Sequence, residues 1–355
     1  MAVFQDIISG LVGALTSINQ SVMAISFGFA MFPSMLAYLV GILGCIIFQS
    51  PLPISFQAET LVMAGTMGRD RRERLSIVLF AGLAMVVIGA LGALDLILGV
   101  AGEALTCAMK AGVGFSLCRI AVEMAKENKL TGGLSLVSCV VVYLLTGNVG
   151  YASLVAFFLC IVAGKVFKLQ SESTVEIDDR FKLQRPTVNF QVIRGVLAVM
   201  CVTIGGNIGA ASVTAGISGL ACNPNQVSIY SGLADAMSSM FGGAPISVVI
   251  SPTAAAPHPI PSAVILMLAM AVLLGSKQLP KVIKLLPPAS VSGVLMVIGL
   301  FLTLPDNLAV AYSGASPAMA LACSSTFMVT IVGDPFIGLV AGMVMRALAG
   351  TLGLG

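Results

Sequence analysis

Glu59 is a carboxylate set inside a long apolar stretch, two residues after Gln57, in the segment PLPISFQAETLV that begins at Pro51. An acid at membrane depth is costly and marks an ion or substrate path. It could carry a coupling proton if burial favours its neutral form, or cap a helix N-terminus at a wet interface. A second polar group, Ser247, Ser251 and Thr253, lies in GGAPISVVISPTAAAPHP from Gly242. Asn19 and Gln20 interrupt the first apolar run, and Asn207 interrupts a later one within TIGGNIGAAS. Such amides could bond a polar ligand or hold helices together. The candidate substrate-binding residues are therefore Gln20, Gln57, Glu59, Asn207, Ser247, Ser251 and Thr253, with Glu59 also the candidate for coupling.

No set of residues reads as catalytic, so the expectation is a protein that is not an enzyme. The sole histidine, His258, lies between prolines at a segment end and reads as a surface or gate residue. Asp235 and Asp334 read as helix-end or loop residues. Eight cysteines are scattered singly without a CxxC or Cys/His cluster, so they read as small buried thiols and no metal site is expected. The glycines of GGNIGAAS and GVAGEA lack the strand–turn–helix context of a nucleotide site and read as close helix packing.

The elements that must position these residues are membrane helices. The chain of 355 residues is 58% hydrophobic and 9% charged, and apolar runs near the ~20 residues that cross a bilayer recur from end to end. This composition specifies an all-α polytopic membrane protein. The first residues, MAVFQDIISG, lack a basic leader, so no cleaved signal peptide is expected. The polar interval 168–189 divides the chain into halves of seven apolar segments each. Spans are expected near 4–30, 32–48, 52–66, 75–98, 103–124, 132–146 and 149–167. In the second half they are expected near 190–219, 227–241, 244–256, 260–275, 281–304, 308–331 and 334–350.

The halves echo one another. VFQDIISG opens the first and NFQVIRGV the second, and the third segment of each carries Pro-Ile-Ser. Seven is odd, so two such repeats have opposite membrane orientation, the inverted-repeat plan of secondary transporters. Segments three and ten also share a broken texture, with prolines, then β-prone residues, then a short helix opening at Ala58 or Pro252. Pro257, Pro259 and Pro261 should end the second helix within about two turns. Non-helical backbone is tolerated in a bilayer only where protein or water satisfies it. Two half-helix N-termini would offer N–H groups and positive dipole ends to a substrate. A pair of merely kinked, packing helices is the plainer alternative.

Counting alternate sides places Arg69, Arg71, Arg72, Arg74, Lys126, Lys129, Lys165, Lys168, Arg180, Lys182, Arg185, Lys277, Lys281 and Lys284 on one face, which the positive-inside rule makes cytoplasmic. Fourteen full crossings then put both ends of the described repeats outside. Re-entrant third and tenth segments would put them inside, but would leave Lys277 to Lys284 on the outer face.

In order along the chain, ALTCAMKAGVGFSLCRIAVEMAK, VTIGGNIGAASVTAG, ADAMSSMFGGAPISVVISPTAAA, LLPPASVSGVLMVIGLFL and SPAMALACSSTFMVTIVGDPFIGLVAGMV resemble segments of the nucleobase–cation symporter 2 (xanthine/uracil permease) family, above all its hypoxanthine/guanine branch. That resemblance implies the uracil-permease fold, with a core domain from segments 1–4 and 8–11 and a gate domain from segments 5–7 and 12–14. It also implies alternating access, a purine-like nucleobase held between segments three and ten, a homodimer, and coupling to H+ or Na+. The family's acids on segments eight and ten are replaced here: CVTIGGN has none, and Ser251 and Pro252 stand where a Glu is expected. DIISGLVGALTSINQSVMAIS is similar to the first segment of sulfate permease-type anion transporters, which share the fold and hold anions at paired half-helix ends. The two resemblances leave a nucleobase or a small anion as substrate, the lipid bilayer as partner and no nucleic acid. A non-transporting membrane subunit or a channel is the remote alternative.

Overall fold

The structure is a computed structural model that describes residues 2–147, 149–166, 180–278 and 288–351. The connector residues 169–179 and the start of the span expected from 281 lie outside the described residues. The first half folds as α1 (Ala2–Ser26), α2 (Met31–Ile47), β1 (Ile54–Ser55), α3 (Ala58–Met67), α4 (Arg71–Ala90), α5 (Leu94–Ala101), α6 (Glu103–Glu127), α7 (Lys129–Thr146) and α8 (Val149–Val166). The second half follows with α9 (Phe190–Ser218), α10 (Pro224–Met240), β2 (Ser247–Val248), a 3₁₀ turn (Pro252–Ala255) and α11 (Pro259–Gly275). It ends with α12 (Ser292–Val297), a π-helical stretch (Ile298–Thr303), α13 (Leu304–Tyr312), α14 (Pro317–Val332) and α15 (Pro335–Thr351).

Local chemistry sets many of these boundaries. Asp70, Asn128, Asn189 and Asn223 each accept a first-turn N–H and so start α4, α7, α9 and α10. Gly147 and Gly219 take left-handed backbone and stop α7 and α9. Three expected spans differ from the fold. The fourth is broken at residues 91–93, where Gly92 has φ +65°. The twelfth and thirteenth divide at residues 313–316 rather than between 304 and 308. Pro305 has no N–H to offer the preceding turn, and the wider π turns carry the helix through it.

The chain forms two compact units. One contains α1–α4, α9–α11 and both strands. Here α4 lies along α10, α2 contacts α10 and α11, α1 contacts α11, and α9 covers α3 and α4. A Cβ on Gly82 of α4 would fall 2.6 Å from the Gly232 carbonyl oxygen of α10, and one on Gly232 would fall 2.5 Å from that of Gly82. The two helices meet backbone to backbone there, as small residues allow in membranes. In the other unit α6 packs against α12, α13, α14 and α15, and α7 lies between α8 and α12. Ser135 of α7 donates to Ser290 O and accepts from Gly293 N, so a polar seam joins α7 to α12.

Five helices among the described residues are long and apolar enough to cross a bilayer, and further apolar helices of 10–17 residues accompany them. Ile47, Val87, Leu145, Phe158 and Val332 project outward as lipid-facing side chains. The protein is a multi-pass membrane protein of mostly helical structure.

The Gly82–Gly232 approach predicts that Gly232→Val will separate α4 from α10 and lower stability by about 1–3 kcal/mol. Gly133→Ala, where an added Cβ meets nothing within 4 Å, should instead be neutral or stabilising by roughly 0.5–1 kcal/mol. Thermal unfolding of the detergent-purified variants measures both.

Candidate functional site

The two Pro-Ile-Ser segments are joined to each other. β1 and β2 pair antiparallel, with Ile54 opposite Val248 and Ser55 opposite Ser247. The paired serines are 192 residues apart, and the same offset relates the whole of PIS at 53–55 to PIS at 245–247. An axis that exchanges the halves therefore passes close to the Ser55–Ser247 pair. The same offset relates Tyr38 to Tyr230, both fully buried. It also turns the pair Ala30–Gly242, joined by an N–H to carbonyl bond of 2.9 Å, into Cys222–Ser50, whose side chains lie 3.8 Å apart.

Prolines make these stretches extended, and each freed backbone group then needs a partner. On the first, Leu52 N donates to Ser50 Oγ, and Leu52 O accepts from Tyr230 Oη at 2.7 Å and from Cys45 Sγ. Pro53 O accepts from Val249 N, and Phe56 N donates to Tyr38 Oη, which also shares a bond with Ser55 Oγ. On the second, Gly243 N donates to Ser238 O, Ala244 N to Ser34 Oγ, and Ser238 Oγ to Ala244 O. Ile246 N donates to Asp235 Oδ1 at 2.7 Å. The helices α2 and α10 thus act as a cradle of hydroxyls and one carboxylate around the strand pair.

The two breaks continue differently. After β1, Gln57 leads into the ten-residue α3, but its side chain does not cap it; Gln57 Oε1 accepts instead from Thr60 Oγ1. Glu59 lies half-buried in the first turn. After β2, Ser251 caps Thr253 N, and the 3₁₀ turn ends at Ala255. The expected second half-helix is therefore a single turn, because Pro257 and Pro259 lack the N–H groups that would extend it. A turn so short carries little dipole, which leaves α3 as the only half-helix with an N-terminal field.

Among the described residues of this unit, Gln20 Oε1, Asn207 Oδ1, Thr214 Oγ1, Ser247 Oγ and Thr253 Oγ1 are buried polar atoms with no hydrogen-bond partner. Ser247 and Thr253 sit on the second break itself. Gln20 belongs to α1, which packs on both α3 and the 3₁₀ turn. Gly13 of α1 faces Ser251, since a Cβ there would fall 2.8 Å from its Oγ, and Gln20 is two turns further along the same face. Asn207 belongs to α9, which contacts α3, β2 and the 3₁₀ turn. Its amide nitrogen donates to Ser228 Oγ of α10 at 2.7 Å. The Ser228 hydroxyl is already committed to Pro224 O, so the amide must present its nitrogen to α10 and its oxygen elsewhere. The side chain of Asn19 lies outside the described residues.

Sequence reasoning missed Thr214, although it stands seven residues from Asn207 and so shares its helix face. It also misplaced Asp235. Rather than a helix end or loop, this carboxylate occupies the interior of α10, 4% exposed, as the ligand of Ile246 N. Asp334 does cap α15 through Ile337 N. His258 stands just before α11 without a side-chain cap bond, and both its N–H and its Nδ1 bond the Asp6 carboxylate of α1, at 2.9 and 2.8 Å.

Charge is segregated within this unit. Lys277 Nζ sits 4.0 Å over the Phe32 ring, Phe32 packs on Phe181 at 4.7 Å, and Arg72 donates to Arg185 O. Lys277, residues 180–185 and Arg69–Arg74 therefore share one end. The Asp6–His258 pair lies at the other end of α11, about 25 Å away.

No family profile matches the chain, and no curated protein matches it in sequence. Solved structures do match in fold. The overall structure of SLC26A9 is 13% identical with a TM-score of 0.73, over 99% of this chain and 66% of that one. The murine Solute Carrier 26 family member A9 anion transporter, in an inward-facing state, is 14% identical with a TM-score of 0.69, over 99% of this chain and 68% of that one. The transmembrane domain of a cyanobacterium bicarbonate transporter, BicA, is 13% identical with a TM-score of 0.73, over 96% and 97%. The chain thus spans 66% of the first of these structures and nearly all of the BicA domain. The shared feature is the inverted-repeat transmembrane fold of the uracil-permease type. The likeness shows the fold, which both resemblances read from sequence imply.

A hydroxyl buried without a partner contributes nothing to folding. Thr253→Val should therefore leave the unfolding midpoint unchanged or raise it, whereas Tyr230→Phe, which strips a donor from Leu52 O, should cost about 1–3 kcal/mol. Thermal unfolding of the two variants side by side separates atoms kept for a ligand from atoms kept for the fold.

Proposed function

We propose that this chain is a secondary transporter of a small, hydrogen-bearing oxyanion such as bicarbonate, working by alternating access. The observation that carries the reading is the set of unpartnered buried polar atoms around the paired breaks. Gln20 Oε1 and Asn207 Oδ1 can only accept hydrogen bonds, while the Ser247 and Thr253 hydroxyls can donate. A ligand that carries both an O–H or N–H and an acceptor oxygen can satisfy all four. Bicarbonate does; chloride and fully ionised sulfate do not. The N-terminus of α3 would add partial positive charge. The anion transporters among the structural neighbours support the same substrate class.

All seven candidate residues fall on the unit made of α1–α4, α9–α11 and the strands, so this unit is proposed as the core that carries substrate and the other as the gate. The positive-inside rule makes the Arg69–Arg74 end cytoplasmic and the Asp6–His258 end extracytoplasmic. The shared location of Lys277 and Arg180 supports fourteen crossings rather than two re-entrant segments.

A purine-like nucleobase is the second reading, favoured by the same acceptors, which could take its ring N–H groups. Glu59 distinguishes the two. Beside an anion its carboxylate repels, so Glu59→Gln should lower the KM for bicarbonate roughly fivefold, about 1 kcal/mol. Beside a nucleobase it accepts an N–H, and the same change should raise KM. Uptake of labelled bicarbonate, sulfate, hypoxanthine, guanine and uracil into proteoliposomes tests the reading directly. Saturable bicarbonate uptake, weakened by Ser247→Ala and Thr253→Val, is expected; base uptake without anion uptake would overturn it.

A further inference from the structure

The outward side of α11 has no part in the paired breaks, yet it is shaped. Ile265, Leu268, Ala269, Val272, Leu273 and Ser276 recur every three or four residues and line an apolar groove of about 520 Å³. Leu268 and Val272 are 50% and 64% exposed, whereas Leu266, Met267, Met270 and Leu274 on the other side of the helix are buried. The groove has a definite length. At one end Ile265 fills the space left by Gly10 of α1, where a Cβ would fall 2.7 Å from Ile265 Cγ2. At the other it reaches Ser276, just past the end of the helix, so it runs about 16 Å. That is half of the ~30 Å hydrocarbon core, or one leaflet. A docked transmembrane helix would need an apolar stripe of the full thickness; one acyl chain needs half.

The open end is basic. Lys277 follows Ser276 directly, in left-handed backbone with φ +54°, where a helix end ordinarily places glycine. Its Nζ lies 4.0 Å over the Phe32 ring, which attracts the charge and leaves N–H donors for an oxygen ligand. Phe32 packs on Phe181, and the exposed Arg180 and Lys182 flank Phe181 in the chain. Among the described residues of this end, the acids are turned onto other partners. Asp70 accepts from Glu73 N, and Glu73 accepts from Arg69 N and Asn189 Nδ2. An apolar channel one leaflet long that ends on a cation matches a phospholipid part for part, chain and then phosphate. Anionic headgroups gain most from such an end.

We propose that this groove binds an anionic phospholipid of the leaflet at the basic end. One acyl chain lies along α11 from Ser276 towards Ile265, and the phosphate rests on Lys277 in the field of Arg180 and Lys182. This lipid site is independent of the substrate the protein moves.

The chain contains no tryptophan, so a single introduced one reports on a single place. Leu268→Trp puts the reporter in the groove, and Val87→Trp puts it on the exposed side of α4. Each variant is reconstituted in phosphatidylcholine bilayers with rising fractions of phosphatidylglycerol or phosphatidylcholine brominated at mid-chain, and quenching of tryptophan fluorescence is recorded. In Leu268→Trp the brominated phosphatidylglycerol should quench at a roughly fivefold lower fraction than brominated phosphatidylcholine, the advantage of one close cation. Adding Lys277→Gln should bring that ratio near one, and Val87→Trp should show no preference. Both positions are exposed, so the variants should unfold near the wild-type midpoint, which separates loss of the lipid site from loss of the fold. Equal quenching by the two lipids in Leu268→Trp would overturn the proposal. So would a preference that survives Lys277→Gln, or one as large in Val87→Trp.

Discussion

A backbone that leaves the helix inside a bilayer frees N–H and C=O groups that lipid cannot satisfy, and each one left open costs several kcal/mol. Most of the first compact unit can be read as an answer to that constraint. The two extended stretches pair with each other, so each provides partners for the other. What the pairing leaves over is taken by side chains of two flanking helices, Ser34, Tyr38 and Cys45 on α2, and Tyr230, Asp235 and Ser238 on α10. Those helices can stand close enough to do this because glycines remove the bulk behind them, as where α10 meets α4.

Against this well-satisfied backbone, the open side-chain atoms on the second break stand out. A fold that provides a partner for Leu52 O twice over does not leave Ser247 Oγ and Thr253 Oγ1 open through poverty of donors. The asymmetry of the breaks has the same logic. The first continues into a real helix and carries Glu59, while the second is cut to one turn by its prolines and is held from behind by a carboxylate. One side offers a dipole and the other offers hydroxyls.

Much of this could be read before any coordinates. The repeated Pro-Ile-Ser, its place in the third segment of each half, and the odd segment count specify an inverted repeat with two broken elements. The type of those elements follows from proline and β-branched residues, whose effects are local. The direct pairing of the breaks was not legible, because it is a long-range contact that no local pattern encodes. The extent of the second helix was overestimated, since Pro252 at a favoured first position argues for a start while the later prolines act only through the N–H groups they lack. Asp235 was misread because an acid near Gly242 looks like a helix end; its role depends on Ile246 lying beside it in space. The substrate class is not legible in the sequence, since the same amides and hydroxyls suit a base or an oxyanion.

The strand pair also bears on how the protein is made. Ser55 and Ser247 are 192 residues apart, an interval that takes a ribosome roughly 10–40 s to translate. For that time the first half holds an extended segment in or near the membrane with nothing to pair with, and Tyr230, which closes Leu52 O, does not yet exist. The nascent first repeat must therefore wait in an unfinished state, shielded by the insertion machinery or held at the membrane surface. Its folding is completed only when its mirror image arrives.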